Sequence, residues 1–260
     1  RRDVGDRHPH PGLAVAVQRV DARLRGDIGV VVGEQLVVVA SPQQRIDDAV
    51  ALLRRIEGEF APAAFANSLG AEDMVLTDLI ARHAPGIEMF TLDTGRLHEE
   101  TYRLMQKVAD QYDRPLRVYF PQPEAVQQYA TEHGVNAFYE SIDLRKTCCQ
   151  VRKIEPLGRA LTGKAAWITG LRREQAVTRR DLPEREFDAA HGIEKFNPLA
   201  VWSEEEVWAY LHVYGVPTNE LHERGFPSIG CAPCTRAMAA GEDIRAGRWW
   251  WEDPQSRECG

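Results

Sequence analysis

With 260 residues and a net charge of −7, the chain is long enough for a full α/β core and too acidic for general nucleic-acid binding. Its 43% hydrophobic and 27% charged residues are ordinary for a soluble globular protein, and no apolar run is long enough to span a bilayer. Five cysteines with no secretory pattern at the start point to a reducing, cytoplasmic setting, where paired cysteines bind metal or do redox work.

In chain order, residues 1–40 carry no assigned function, although the β-branched stretches 28–32 and 36–39 read as two strands turning at Gly33-Glu34. Residues 45–60 have apolar positions at helical spacing. An alternation follows: strand 63–68, helix 74–83, strand 87–92, helix 98–112, strand 116–120, helix 124–132, and a further strand at 165–169. Strands alternating with helices predict a doubly wound, mostly parallel sheet. Helix 203–213 opens with Ser203 and Glu206 at capping-box spacing. The expected organisation is an α/β domain over 41–240 and a mobile C-terminal tail over 241–260.

Charge is uneven. Residues 144–180 hold ten Lys/Arg and only two acids, a basic island suited to a small anionic ligand. Two polar turns stand at consecutive strand ends, where open α/β sheets bind ligands. The first contains Ser68, Gly70 and Asp73; the second contains Asp93 and Thr94. Either turn alone also reads as an ordinary loop.

Four cysteines form two pairs, Cys148-Cys149 and Cys231-Ala-Pro-Cys234. Thr147 with Gln150 reads as a capping box, which places the first pair in the opening turn of a helix, where the dipole favours thiolate. Together the pairs supply four soft ligands, enough for one tetrahedral metal or one cubane cluster. Adjacent cysteines are an unusual zinc pattern. The fifth, Cys259, stands one residue from the end, a position more often occupied by a solvated thiol without a role.

Taken together, these residues resemble the bacterial assimilatory adenylyl-sulfate (APS) reductases, within the PAPS/APS reductase family. The resemblance runs from about residue 45 to 260. It rests on both cysteine pairs, the terminal Glu258-Cys259-Gly260, Ser68-Leu-Gly-Ala-Glu-Asp73, Leu92-Asp-Thr-Gly-Arg96, Gly170-Leu-Arg-Arg-Glu-Gln175 and Arg224-Gly-Phe-Pro-Ser-Ile-Gly230. It implies an adenine-nucleotide-hydrolase-like, Rossmann-like α/β fold. It implies one [4Fe-4S] cluster per chain on Cys148, Cys149, Cys231 and Cys234, with Cys259 as nucleophile. Substrate contacts are expected from Ser68, Gly70, Asp73, Asp93, Thr94, Lys153, Arg172, Arg179, Arg245 and Arg248.

The implied reaction converts adenylyl sulfate to sulfite and AMP in sulfate assimilation. Thioredoxin is the expected electron donor, through an S-sulfocysteine on Cys259, in a cytoplasmic homo-oligomer without nucleic-acid or membrane partners. The alternatives are a PAPS reductase releasing adenosine 3',5'-bisphosphate, and a non-catalytic zinc-binding module. An ATP pyrophosphatase of the same fold wants Ser-Gly-Gly-x-Asp-Ser, whereas Leu69 stands at its first glycine and no serine follows Asp73.

Overall fold

The computed structural model describes the backbone of residues 28–32 and 35–39, and residues 41–176, 179–239, 241–242 and 246–253. The chain divides into two units, Arg1–Asp48 and Ala49–Gly260. In the first, β1 (Ile28–Val32) pairs antiparallel with β2 (Gln35–Val39), Ile28 opposite Val39. Those are the two β-branched strands the sequence suggests. Gly33 and Glu34 lie outside the described residues.

Helix α1 (Pro42–Glu59) buries Ala49, Leu52, Leu53 and Ile56, one apolar face at helical spacing. The second unit is built on a six-stranded sheet. Its strands are β3 (Ala63–Ala66), β4 (Glu88–Leu92), β5 (Leu116–Tyr119), β6 (Ala166–Ile168), β7 (Arg185–Asp188) and β8 (Ile193–Phe196). They lie in the order β5-β4-β3-β6-β8-β7, all parallel except β7, which pairs antiparallel with β8. The central strands β3 and β4 are short apolar runs buried over most of their length, as strands covered on both faces must be. The edge strands β5 and β7 alternate or expose their side chains.

The β7–β8 hairpin lies outside the expected alternation. Both strands are charge-rich and carry a weak apolar signal. Cross-strand pairs hold them instead: Glu186 bonds Lys195 at 2.9 Å and Arg185 bonds Glu194 at 3.0 Å.

Around the sheet run α2 (Ala71–His83), α3 (Glu99–Gln111), α4 (Pro123–His133), α5 (Ile142–Cys149), α6 (Glu155–Leu161) and α7 (Glu204–Tyr214), with a π-helical turn over Gln150–Ile154. Helix α2 packs on α7, and α6 lies over β4 and β5. The α2–α7 contact includes buried Asp78, which accepts from Tyr210 Oη at 2.7 Å and from Tyr112 Oη at 3.0 Å. The expected cap of α7 is present: Ser203 and Glu206 bond each other's backbone N–H reciprocally.

One topological fact positions the site. From β3 the chain steps outward to β4 and β5, then returns to lay β6 on the other side of β3. The order reverses between β3 and β6, so a crevice opens past their carboxyl ends.

Candidate active site

The loop after β3 reaches this crevice first. Leu69 takes a left-handed φ of 63° and is buried, which turns the chain sharply into α2. Asp73 closes the loop: it accepts the Ser68 backbone N–H at 2.6 Å and the Ser68 hydroxyl at 2.5 Å. The Gly170 backbone N–H, just past β6, donates to the same carboxylate. Asp73 therefore pins the ends of β3 and β6 together, and Gly170 has no room for a Cβ against it. Gly170→Ala is expected to cost roughly 2–3 kcal/mol through that overlap, read as a lowered urea midpoint at unchanged slope.

Burial pushes the Asp73 carboxyl up to about 6 despite the Ser68 bonds. Its folded value lies above its unfolded one, so the ionised form is penalised in the folded state. Wild type should therefore gain stability relative to Asp73→Asn as pH falls from about 6 to 4, by on the order of 2 kcal/mol. Melting temperatures of the two proteins across that window check it.

The turn after β4 is organised similarly. Asp93 accepts from Gly95 N–H at 2.7 Å and from Tyr102 Oη at 2.9 Å, so its carboxylate is turned into the loop. Thr94 instead reaches the second cysteine pair, its Oγ1 3.1 Å from Cys231 Sγ. Arg152 Nη1 donates to the Thr94 carbonyl at 2.8 Å, tying this turn to the helix that bears the first pair.

That helix differs from expectation. Helix α5 is capped by Ser141, whose Oγ accepts from Leu144 N–H at 3.2 Å. Thr147 is no cap; its hydroxyl donates to the Asp143 carbonyl at 2.9 Å, one turn back. Cys148 and Cys149 thus close α5 at the π-helical turn, and no N-terminal dipole acts on them. Burial pushes the Cys148 thiol up; Arg152 and Arg96 oppose that, while Cys231 adds to it. Cys148 and Cys231 are thus close enough to feel each other's charge.

All four paired cysteines are free of disulfides and partly buried. They line one cavity of about 560 Å³ together with Ser68, Gly70, Asp73, Thr94, Lys153, Arg179 and Arg248. Three other lining side chains, Trp167, His222 and Trp249, each carry a buried nitrogen with no hydrogen-bond partner among the described residues, as a site for a polar ligand would. Among the described residues no three His, Cys, Asp or Glu side chains gather closely enough for one metal ion.

Two expected contacts stand elsewhere. Arg172 is 2% exposed, bonded to Glu72 at 2.8 Å and to the Trp202 carbonyl at 3.2 Å, and it does not line the cavity. Neither does Asp93. Arg245 and Cys259 lie outside the described residues. Arg96 closes the Asp93-Thr94 motif and lines the cavity beside the cysteines, a contact that its place in the motif signals. Arg152, one of the ten cations of the basic island, lines it too.

The segment 246–253 runs along the second cysteine pair. Thr235 bridges Arg248 in antiparallel fashion, and Trp249 N–H donates to the Cys234 carbonyl at 3.2 Å. Gly247 is a packing glycine, since a Cβ there would stand 2.5 Å from the Arg236 carbonyl oxygen.

The sequence profile of the phosphoadenosine phosphosulfate reductase domain matches residues 62–237, which contain every element from β3 to the second cysteine pair. The chain belongs to this family. Within the family it is similar to adenosine 5'-phosphosulfate reductase of Allochromatium vinosum, 56% identical over 212 residues, 82% of this chain and 83% of that protein. The phosphoadenylyl-sulfate reductase of Candida auris, solved as a phosphate complex, is 30% identical with a TM-score of 0.64, covering 76% of this chain and 99% of that one. FMN adenylyltransferase of Candida glabrata, 15% identical with a TM-score of 0.53 over 84% of this chain and 74% of that one, shares the fold alone. The mostly parallel sheet, with a crevice at its strand ends, is the α/β architecture that the resemblance implies. No helix among the described residues is long and apolar enough to cross a membrane.

Proposed function

We propose that the chain reduces adenylyl sulfate to sulfite and AMP in sulfate assimilation, with thioredoxin as electron donor and Cys259 as nucleophile. The observation that carries this reading is one cavity lined by both cysteine pairs, by the Ser68–Gly70 loop and by the cations Lys153, Arg179 and Arg248. The cations suit the phosphosulfate, and the loop at the start of α2 suits a nucleotide phosphate.

Four thiol side chains at one cavity fit a soft metal group. The two pairs together offer the four thiolates that a [4Fe-4S] cluster takes. Cys148, Cys149, Cys231 and Cys234 would hold it, with Arg96 and Arg152 balancing its charge. Bound there, the cluster supplies a fixed electrostatic and architectural element between the two cysteine segments.

The chemistry balances without electrons from that group. The Cys259 thiolate bonds the sulfonyl sulfur, the S–O bond breaks, and its electron pair leaves with AMP, whose phosphate charge the cations stabilise. A thioredoxin thiolate then attacks the Cys259 sulfur and expels sulfite with the pair of the S–S bond. The second thioredoxin thiol, after losing its proton, resolves the mixed disulfide and restores the Cys259 thiolate. The dithiol supplies both electrons. A cytoplasmic homo-oligomer belongs to the same reading.

Anaerobically purified protein given adenylyl sulfate and reduced thioredoxin should release sulfite and AMP one for one. Sulfite released only from the 3'-phosphorylated substrate would instead support the phosphoadenylyl-sulfate reading, which the Candida auris relative keeps in view.

A further inference from the structure

A buried ion pair beside the site takes no part in the chemistry above. Arg145 is 1% exposed and makes a two-point ion pair with Glu252, Nε to Oε1 at 2.6 Å and Nη2 to Oε2 at 3.0 Å. Its guanidinium also lies 4.8 Å from the centre of the Trp249 ring. Arg145 sits on α5, three and four residues before Cys148 and Cys149, so latch and cysteine pair share one helical turn. The other end of the same segment is fastened to the second pair, through Trp249 N–H and the Cys234 carbonyl. A segment with no helix or strand of its own, only an isolated bridge, is thereby held at both cysteine sites.

Burying two charges is a poor way to add stability, because an apolar pair of similar volume does as well. What a forked ion pair adds is one defined geometry. We propose that Arg145 and Glu252 form a positioning latch: they fix residues 246–253 to the cysteine-bearing turn and thereby set where Cys259 meets the substrate. Cys259 follows Glu252 by seven residues (259 − 252), a tether of at most about 25 Å at full extension. This inference rests on Cys259 being the nucleophile.

The test uses the full chain purified with its metal group and compares wild type with Glu252→Gln and the milder Glu252→Asp. Three quantities are read: S-sulfonation of Cys259 in a single turnover without thioredoxin, AMP affinity, and hydrogen exchange of the peptide containing the Trp249 amide. Glu252→Gln should slow sulfonation about tenfold or more while AMP affinity changes less than about threefold, because alignment is lost and the pocket is kept. Exchange at residues 246–253 should quicken, and Glu252→Asp should recover part of both effects. Sulfonation at the wild-type rate in Glu252→Gln would overturn the latch. So would loss of AMP binding in step with sulfonation, which marks a merely structural pair. If wild type itself forms no adduct, the functional reading fails, and the exchange comparison alone decides the latch: unchanged exchange in Glu252→Gln overturns it.

Discussion

Replacing Cys259 by serine should lower sulfite production by about four orders of magnitude or more, because the only proposed nucleophile loses its thiolate. Nucleotide binding should survive, since the described lining already includes the Ser68–Gly70 loop and the cations Lys153, Arg179 and Arg248. Calorimetric AMP binding alongside steady-state sulfite release separates the two effects. A Cys259→Ser protein that turns over within tenfold of wild type would remove the covalent intermediate from the scheme. A variant that also loses AMP binding would mean that the tail builds the pocket rather than entering it.

The second large effect concerns Cys231. Its sulfur stands 3.1 Å from the Thr94 hydroxyl and within electrostatic range of Cys148. It is the point at which the β4 turn, α5 and the Cys231–Cys234 loop meet. Cys231→Ala removes one thiolate of four without offering an oxygen in exchange. The purified variant should lose its broad visible absorbance and most of its iron. Activity should fall by about 100-fold or more, beyond what losing an outer hydrogen-bond partner costs a metal site. Iron assay and absorbance on freshly isolated protein check the first part, and turnover checks the second. Wild-type colour and iron in Cys231→Ala would take this cysteine out of the ligand set; a colourless wild type that binds zinc would favour the metal-stapled alternative.

The parts of the fold legible in the sequence are those whose signal is local. Strands β3, β4 and β6 are short and largely buried, α3 buries Thr101, Leu104 and Val108 on one face, and α2 is buried nearly all round, so these elements fall within a few residues of expectation. The Ser203–Glu206 cap is a four-residue pattern and forms as read. Strands β7 and β8 escaped because charged cross-strand pairs, not apolar periodicity, hold them.

The cap of α5 was misplaced for a related reason. Ser141 and Thr147 both stand before plausible helix starts, but Ser141 Oγ caps the helix while the Thr147 hydroxyl bonds back to the Asp143 carbonyl. Residue types identified the two cysteine pairs, and the fold brings both to one cavity. Composition could not say which polar residues face a ligand: Asp93 and Arg172 look like binding residues, yet their partners are Tyr102 and Gly95, and Glu72. The Arg145–Glu252 pair spans 107 positions and leaves no local trace.

The measurement closest to the central claim is the intact mass of anaerobically purified, metal-loaded wild type after adenylyl sulfate is added without thioredoxin. The account predicts the added mass of one sulfonate group, mapped to Cys259, released as sulfite when reduced thioredoxin is supplied, and absent in Cys259→Ser. An unmodified chain that nevertheless makes sulfite once thioredoxin is present would contradict it, because thioredoxin would then attack the substrate directly.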